Sequence, residues 1–327
     1  MNHGVIVPVF LPYAGCKRRC VFCDQHAVSG LYNVPSLDEM ESLYDEWSKR
    51  GRVCEIAFYG GTITALEKKR LIEYLSWAHS KLGNDGYIRI STRPDEIDEE
   101  TVSILKEFGV RHVEVGVQSF DNRVLKASNR GHTAEDAERA IRLLKSSGFT
   151  VGAHLMIGLP ESTPSSELCS AQRLVELKVD TCRIHPTLVF EATPLHRMYE
   201  QGLYEPLSLE DAVKRTANLY ALLQRFGVKV IRLGLFLESN ALTRLAAGPH
   251  HPAFGHMVKS RAFYEVSSQL ATVNLEIVYS ERYESIVSGY KRENIKRWEN
   301  EGLHISLIPV KKEGILNVNG VDMKWVV

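Results

Sequence analysis

Excess charge of either sign is missing from this sequence: Lys and Arg number 40, Asp and Glu number 40, and the formal net charge is zero. A surface devoted to nucleic acid usually carries net basic charge, so the balance argues against one, although a local patch fits within a zero sum. Long apolar runs are missing too. None approaches the roughly 20 residues that span a bilayer, so no transmembrane helix and no membrane partner are expected. The opening Met1-Asn2-His3-Gly4 has no basic n-region, and Pro8 and Pro12 interrupt the apolar stretch behind it, so no signal peptide is expected. The expected location is cytoplasmic. Cysteine is scarce, with six in 327 residues. A chain of this length buries enough core to fold without disulfides.

What is present is ordinary globular composition, 44% hydrophobic and 24% charged, arranged as alternating strand-like and helix-like runs. Strand patterns cover residues 5–11, 56–59, 87–91, 112–117, 151–157 and 182–189. Amphipathic helices follow at 66–82, from the N-cap Asp98, from the N-cap Thr133, and at about 165–177. Six strand-then-helix units imply parallel strands with right-handed crossovers, with chemistry at the carboxyl ends of the strands. The expected fold is α/β, a partial (β/α)6 TIM-type barrel with a small α+β C-terminal appendage. The expected division is a core over 1–205, an extension over 206–250 with a helix and a further strand at 228–235, and a C-terminal unit over 251–327.

The strongest local signal is Cys16-Lys17-Arg18-Arg19-Cys20-Val21-Phe22-Cys23, a C-x3-C-x2-C run. Thiolates bind iron–sulfur clusters, and four close a cubane. Three in one loop leave one iron open to another ligand. Lys17, Arg18 and Arg19 place positive charge beside the thiols, which favours thiolate. Zinc is the alternative, with Asp24 or His26 as fourth ligand. Cys54 and Cys182 fall in strand-like runs and Cys169 in a helix, where cysteine usually acts as a small apolar residue.

The loop, with Phe22 before its third cysteine, resembles that of the radical S-adenosylmethionine (SAM) superfamily. Further segments are similar in order: Gly60-Gly61-Thr62, Thr92-Arg93-Pro94-Asp95, Gly116-Val117-Gln118-Ser119-Phe120, Asn129-Arg130-Gly131-His132-Thr133, His154–Pro160 and His185–Val189. They resemble the core of the elongator catalytic subunit and, more distantly, the oxygen-independent coproporphyrinogen oxidase group, over about residues 5–205. The resemblance implies a [4Fe–4S] cluster on Cys16, Cys20 and Cys23, and SAM on the open iron. It implies SAM contacts from Gly60, Gly61, Thr62, Gln118, Ser119, Arg130 and His154, with Gly60-Gly61 receiving the amino group, Gln118 the ribose and Arg130 the carboxylate. Two positions depart from it: Thr62 replaces an acid, as in the elongator-like branch, and Ser91 stands where related proteins carry a ribose-binding glutamate. A one-electron reductant such as a flavodoxin or ferredoxin is the implied partner.

The elongator subunit carries an acetyltransferase domain after its radical core, and no acetyl-CoA-binding loop is apparent in the residues after Gln201. Two later segments stand out. Gly248–His256 gathers His250, His251 and His256, a substrate-side loop, a second metal site or a rigid connection. Gly289–Trp298 mixes Lys291, Arg292, Lys296 and Arg297 with Tyr290 and Trp298, either a surface that contacts phosphate and stacks a base or a solvated helix face. The functions implied are radical modification of tRNA or another RNA, a radical reaction on a small metabolite, or a non-enzymatic cluster or haem carrier on the same core.

Overall fold

Along the strands of this chain every second residue is apolar and buried, and that alternation decides the architecture. In β1 (Val5–Leu11) these are Val7, Val9 and Leu11, and in β2 (Val53–Gly60) Ile56 and Phe58. They are Ile88 and Ile90 in β3 (Tyr87–Thr92), and Val113, Val115 and Val117 in β4 (Val110–Gln118). In β5 (Thr150–Ile157) they are Val151, Ala153, Leu155 and Ile157, and in β6 (Thr181–Pro186) Cys182 and Ile184. This row forms one face of the sheet, and helices cover it. The computed structural model describes residues 4–83 and 85–326; Met1, Asn2 and His3, where a targeting signal would begin, lie outside them.

The covering helices are α1 (Leu37–Ser48), α2 (Lys68–Leu82), α3 (Glu99–Glu107), α4 (Ala134–Ser146), α5 (Pro164–Glu176) and α6 (Leu209–Arg225). Asp98 caps α3 by accepting from the Thr101 N–H at 2.8 Å, and Thr133 opens α4 in a capping box with Asp136. The helix α1 was not anticipated, although Ser36-Leu37-Asp38-Glu39 is a capping-box sequence and forms one.

The strands lie parallel in sequence order, and β7 (Lys229–Leu233) extends the sheet beyond β6 with Arg183 opposite Arg232. The barrel therefore has seven strands rather than six: the strand assigned to the extension joins the sheet. Among the described residues β1 and β7 do not pair, so this is a partial barrel.

The other face of the sheet is unlike a closed barrel interior, which branched aliphatic side chains normally fill. It carries Glu55, Arg89, Glu114, Gln118, His154, Arg183 and His185. This polar lumen holds the site.

In the C-terminal part, β8 (Asn274–Ser280) pairs with β9 (His304–Val310) in parallel and β10 (Leu316–Val318) antiparallel, and β11 (Val321–Asp322) follows β10. The helix α7 (Phe254–Leu270) packs on α6 and also on this sheet, so one apolar core runs through both parts. The Gly289–Trp298 segment is not one continuous helix face: the polar stretch around it is divided into α8 (Glu284–Ser288) and α9 (Glu293–Asn300). Lys291 and Arg292, at φ 52° and 61°, break it, and the buried Asn294 amide donates to the Ile286 and Val287 carbonyls across the break.

Trp298 cannot stack a base. It is fully buried against Phe263 and Tyr264, and its indole N–H donates to Ser268 Oγ at 3.1 Å. Cys169 is exposed on α5 rather than packed, whereas Cys182 is buried in β6. Among the described residues no helix is long and apolar enough to cross a membrane.

Candidate active site

The cysteine loop leaves β1 and is held on three sides. Toward β2, the Thr62 N–H donates to the Ala14 carbonyl at 2.6 Å. Gly61 lies so close that a Cβ there would sit 2.3 Å from the Ala14 oxygen, so only glycine lets the two backbones meet. The glycine pair thus serves the loop directly. Toward α4, the Val21 N–H donates to the Ser128 carbonyl, and the Asn129 amide to the Arg19 carbonyl at 2.8 Å. Farther along, the Leu195 N–H donates to the Val21 carbonyl. Gln25 ties the first of these together: its Oε1 accepts from the N–H groups of Tyr13 at 2.6 Å and Gly61 at 2.9 Å. Nothing in the sequence around Gln25 marks that role.

Cys16, Cys20 and Cys23 line one cavity of about 570 Å³ at the carboxyl ends of the strands. All three are free thiols. Burial pushes the Cys23 thiol up to about 12, and the neighbouring Cys20 and Cys16 push the same way. Of the basic run, Arg18 and Arg19 line the same cavity. Lys17 is turned to Glu96, and Arg19 lies 3.5 Å over the Tyr13 ring. The guanidinium that reaches a thiol is Arg130, whose Nη1 donates to Cys20 Sγ at 3.1 Å while Nη2 donates to the Gly116 carbonyl at 2.6 Å.

The alternative of zinc fails on the fourth ligand. Asp24 pairs with Arg244 at 2.7 Å and caps the short helix Gln25–Ser29. His26 donates from Nδ1 to the Leu31 carbonyl at 2.8 Å and sits between Tyr13 and Tyr32. Among the described residues no three His, Cys, Asp or Glu side chains converge tightly enough to chelate one ion. That includes His250, His251 and His256. His251 Nδ1 accepts from the Ala253 N–H and its Nε2 faces the Tyr290 hydroxyl, as a rigid corner requires.

Gly60, Gly61, Thr62, Gln118, Arg130 and His154 all line the same cavity, and Ser119 does not. Ser119 turns away, its hydroxyl accepting from the Asp121 N–H at 3.0 Å and lying beside Ser170. Gln118 adopts φ 67° at the end of β4. Gly116 leaves room for it: a Cβ there would meet Gln118 Nε2 at 3.1 Å and Arg130 Nη2 at 3.2 Å. Thr62 is buried with its hydroxyl 3.4 Å from Cys16 Sγ. Four polar atoms among the lining residues, Ser91 Oγ, Arg93 Nη1, Arg130 Nε and Arg183 Nε, are buried without a partner among the described residues. Unpaired buried donors are costly, and a polar ligand would satisfy them. The residues present therefore fit both a cluster and a polar cofactor beside it.

Deeper in the lumen, Glu114 is the hub of a buried network. It accepts from Arg89 Nη1 at 2.9 Å and Arg183 Nη2 at 2.7 Å, and pairs with His154 Nε2 at 2.9 Å. Burial alone would raise its carboxyl, but His154 and Arg183 outweigh that and hold it well below the usual carboxylate range. Arg89 also binds the buried Glu55, which accepts from the Tyr87 hydroxyl at 2.5 Å. His185 is pushed down to about 3 by burial, with His154, Arg183 and Arg232 adding to it. Glu55, Arg89, Glu114 and Arg183 carry no role in the sequence reading, yet a signal exists: Ile88-Arg89-Ile90, Val113-Glu114-Val115 and Cys182-Arg183-Ile184 each set one charge inside a buried strand.

Comparison with known proteins agrees with this geometry. A tRNA uridine(34) acetyltransferase of Methanocaldococcus jannaschii is 38% identical over 128 residues, which are 38% of this chain and 24% of that protein. The human Elongator complex protein 3 is 33% identical over 138 residues, 41% of this chain and 25% of that one. The chain thus spans about a quarter of the length of these relatives. An uncharacterized protein of M. jannaschii is 28% identical over 231 residues, covering 64% of this chain and 71% of its own length. In fold, the archaeal Methanocaldococcus infernus Elp3 superposes with a TM-score of 0.66 at 22% identity, over 83% of this chain and 65% of that one. The profile of the Radical SAM superfamily matches residues 10–168, and that of the Radical_SAM C-terminal domain residues 179–263. From the cysteine loop through β7 and into α7, the chain belongs to the radical SAM superfamily of enzymes, whose members bind a [4Fe–4S] cluster and S-adenosylmethionine.

Proposed function

We propose that this chain is a radical SAM enzyme acting on a substrate seated in its polar lumen, with Cys16, Cys20 and Cys23 holding the cluster. The observation that carries the reading is the convergence of three free thiols with four unpartnered polar atoms on one cavity. When bound, the cluster and SAM supply reductive cleavage of the sulfonium and hydrogen abstraction from the substrate by the 5′-deoxyadenosyl radical. The chain binds and orients. Gly60-Gly61 present backbone beside the loop, Gln118 offers an amide for the ribose, and Arg130 offers Nε for the carboxylate while its Nη1 neutralises Cys20. Ser91 supplies the hydroxyl that replaces the ribose-binding glutamate of related proteins.

Dithionite and SAM added to anaerobically reconstituted protein should release 5′-deoxyadenosine. Arg130→Ala should weaken SAM binding by about 1.5–3 kcal/mol, the range for losing a charged hydrogen-bond partner, as read by calorimetry. A protein that keeps its cluster yet neither binds nor cleaves SAM would be a non-enzymatic carrier instead. The reading calls for a flavodoxin- or ferredoxin-type reductant and for a reducing compartment such as the cytoplasm, where free thiols persist.

We further infer that the substrate is tRNA, on the strength of the relatives named for tRNA uridine(34) acetylation. A radical reaction on a small metabolite is the competing reading. Lys291, Arg292 and Lys296 are exposed around Tyr290 at the break between α8 and α9, whereas Arg297 is spent on Glu293 and Glu210. Affinity for bulk tRNA should fall with salt at a log–log slope of about −0.7 per phosphate contacted in single strands. Replacing Lys291 and Arg292 with Ala should make the slope shallower. Absence of binding at low salt would end the tRNA reading.

A further inference from the structure

The charges of the lumen do not cancel. Two buried carboxylates, Glu55 and Glu114, are bonded to two guanidiniums, Arg89 and Arg183. Arg232 is a third cation on the same face. It stands opposite Arg183 across the β6–β7 pair and lines the same cavity. Among the described residues no carboxylate lies within ion-pair distance of it, and the charged group it feels most is Arg183, which repels it. Arg183 in turn keeps its Nε buried and unpartnered. Two adjacent guanidiniums with an unspent donor and no carboxylate between them form a receptor for an oxyanion. Arg232 remains open to solvent, as a group that admits a ligand must be. Just beyond it, Leu235 and Phe236 line the cavity with apolar surface.

We propose that Arg232, with the free Nε of Arg183, receives an anionic group of the substrate, a carboxylate or a phosphate. This deepens the radical-enzyme reading and rests on it. The cysteine loop leaves β1, and Arg232 stands on β7 at the opposite edge of the open sheet, so an anion anchored there extends the substrate across the lumen. The same fork suits a nucleotide phosphate or the carboxylate of a small acid.

The test is calorimetric titration of the reconstituted holoprotein with inorganic phosphate and with acetate, each with and without saturating SAM. Wild type should bind at least one of them saturably in both conditions. Arg232→Gln should weaken that binding about tenfold to 100-fold, the loss expected for one charge-assisted hydrogen-bond partner. Arg232→Lys, which keeps the charge and loses the fork, should weaken it less, and it carries the test alone if the glutamine variant fails to fold. Preference for phosphate would point to a nucleotide, and preference for acetate to a small acid. No anion binding by wild type, equal binding by both variants, or binding abolished by SAM would overturn the proposal. Failure to bind SAM would instead sink the radical reading, and the titration without SAM would still decide this one.

Discussion

Replacing Cys16, Cys20 and Cys23 together with Ala should leave anaerobically reconstituted protein without cluster iron, against about four irons in the wild type. The absorbance of the cluster should vanish with them. The loss should be complete because the other cysteines are poorly placed to substitute: Cys182 is buried in β6, Cys54 lies in β2 and Cys169 is exposed on α5. Substituting those three should therefore leave iron content unchanged. The fold should survive the loss, since the loop is fixed by backbone hydrogen bonds to Thr62, Ser128 and Leu195 that the thiols do not make. Iron that follows Cys54, Cys169 or Cys182, or tight binding of zinc alone, would refute the assignment.

Glu114→Ala should destabilise the protein by about 3–5 kcal/mol, the range for breaking a buried ion pair from one side. Arg183 would lose its carboxylate altogether, and Arg89 would keep only Glu55. Against a total stability of about 5–15 kcal/mol, that is enough to unfold a substantial fraction on mild warming, and urea denaturation reads it directly. The same carboxylate predicts acid sensitivity. In the unfolded chain Glu titrates near ~4.3, whereas His154 and Arg183 hold folded Glu114 well below that. As the pH falls the unfolded chain takes up the proton first. The stability Glu114 contributes is therefore complete above about pH 5 and drains away below it. Glu114→Gln should flatten that part of the stability–pH curve; an unchanged curve would show that the network contributes little.

Much of this was legible because local signals and tertiary structure agree. Asp98 and Thr133 cap the helices they seemed to cap, and the cysteine loop sits at the strand ends where the βα order puts it. What escaped reading depended on distant partners. Trp298 beside four cations looks like a stacking platform until Phe263, Tyr264 and Ser268 are seen to enclose it. Gly289 and the left-handed Lys291 and Arg292 split a helix whose pattern runs on uninterrupted. Gln25 owes its importance to Gly61, 36 residues away. The seventh strand is only Lys229–Leu233, short and charged, so its pattern carries little sign of belonging to a sheet.

The unclosed sheet leaves two edges without a partner strand among the described residues, and both carry features that blunt edge-to-edge pairing. β1 holds Pro8, a residue sheets accept at an edge and which offers no N–H to an incoming strand. β7 is five residues long and bears Lys229 and Arg232, charges that a pairing neighbour would have to bury. The open side of the sheet is thus kept from becoming a seam for aggregation. Arg232 would then serve colloidal stability as well as recognition, and the barrel stays open without becoming sticky.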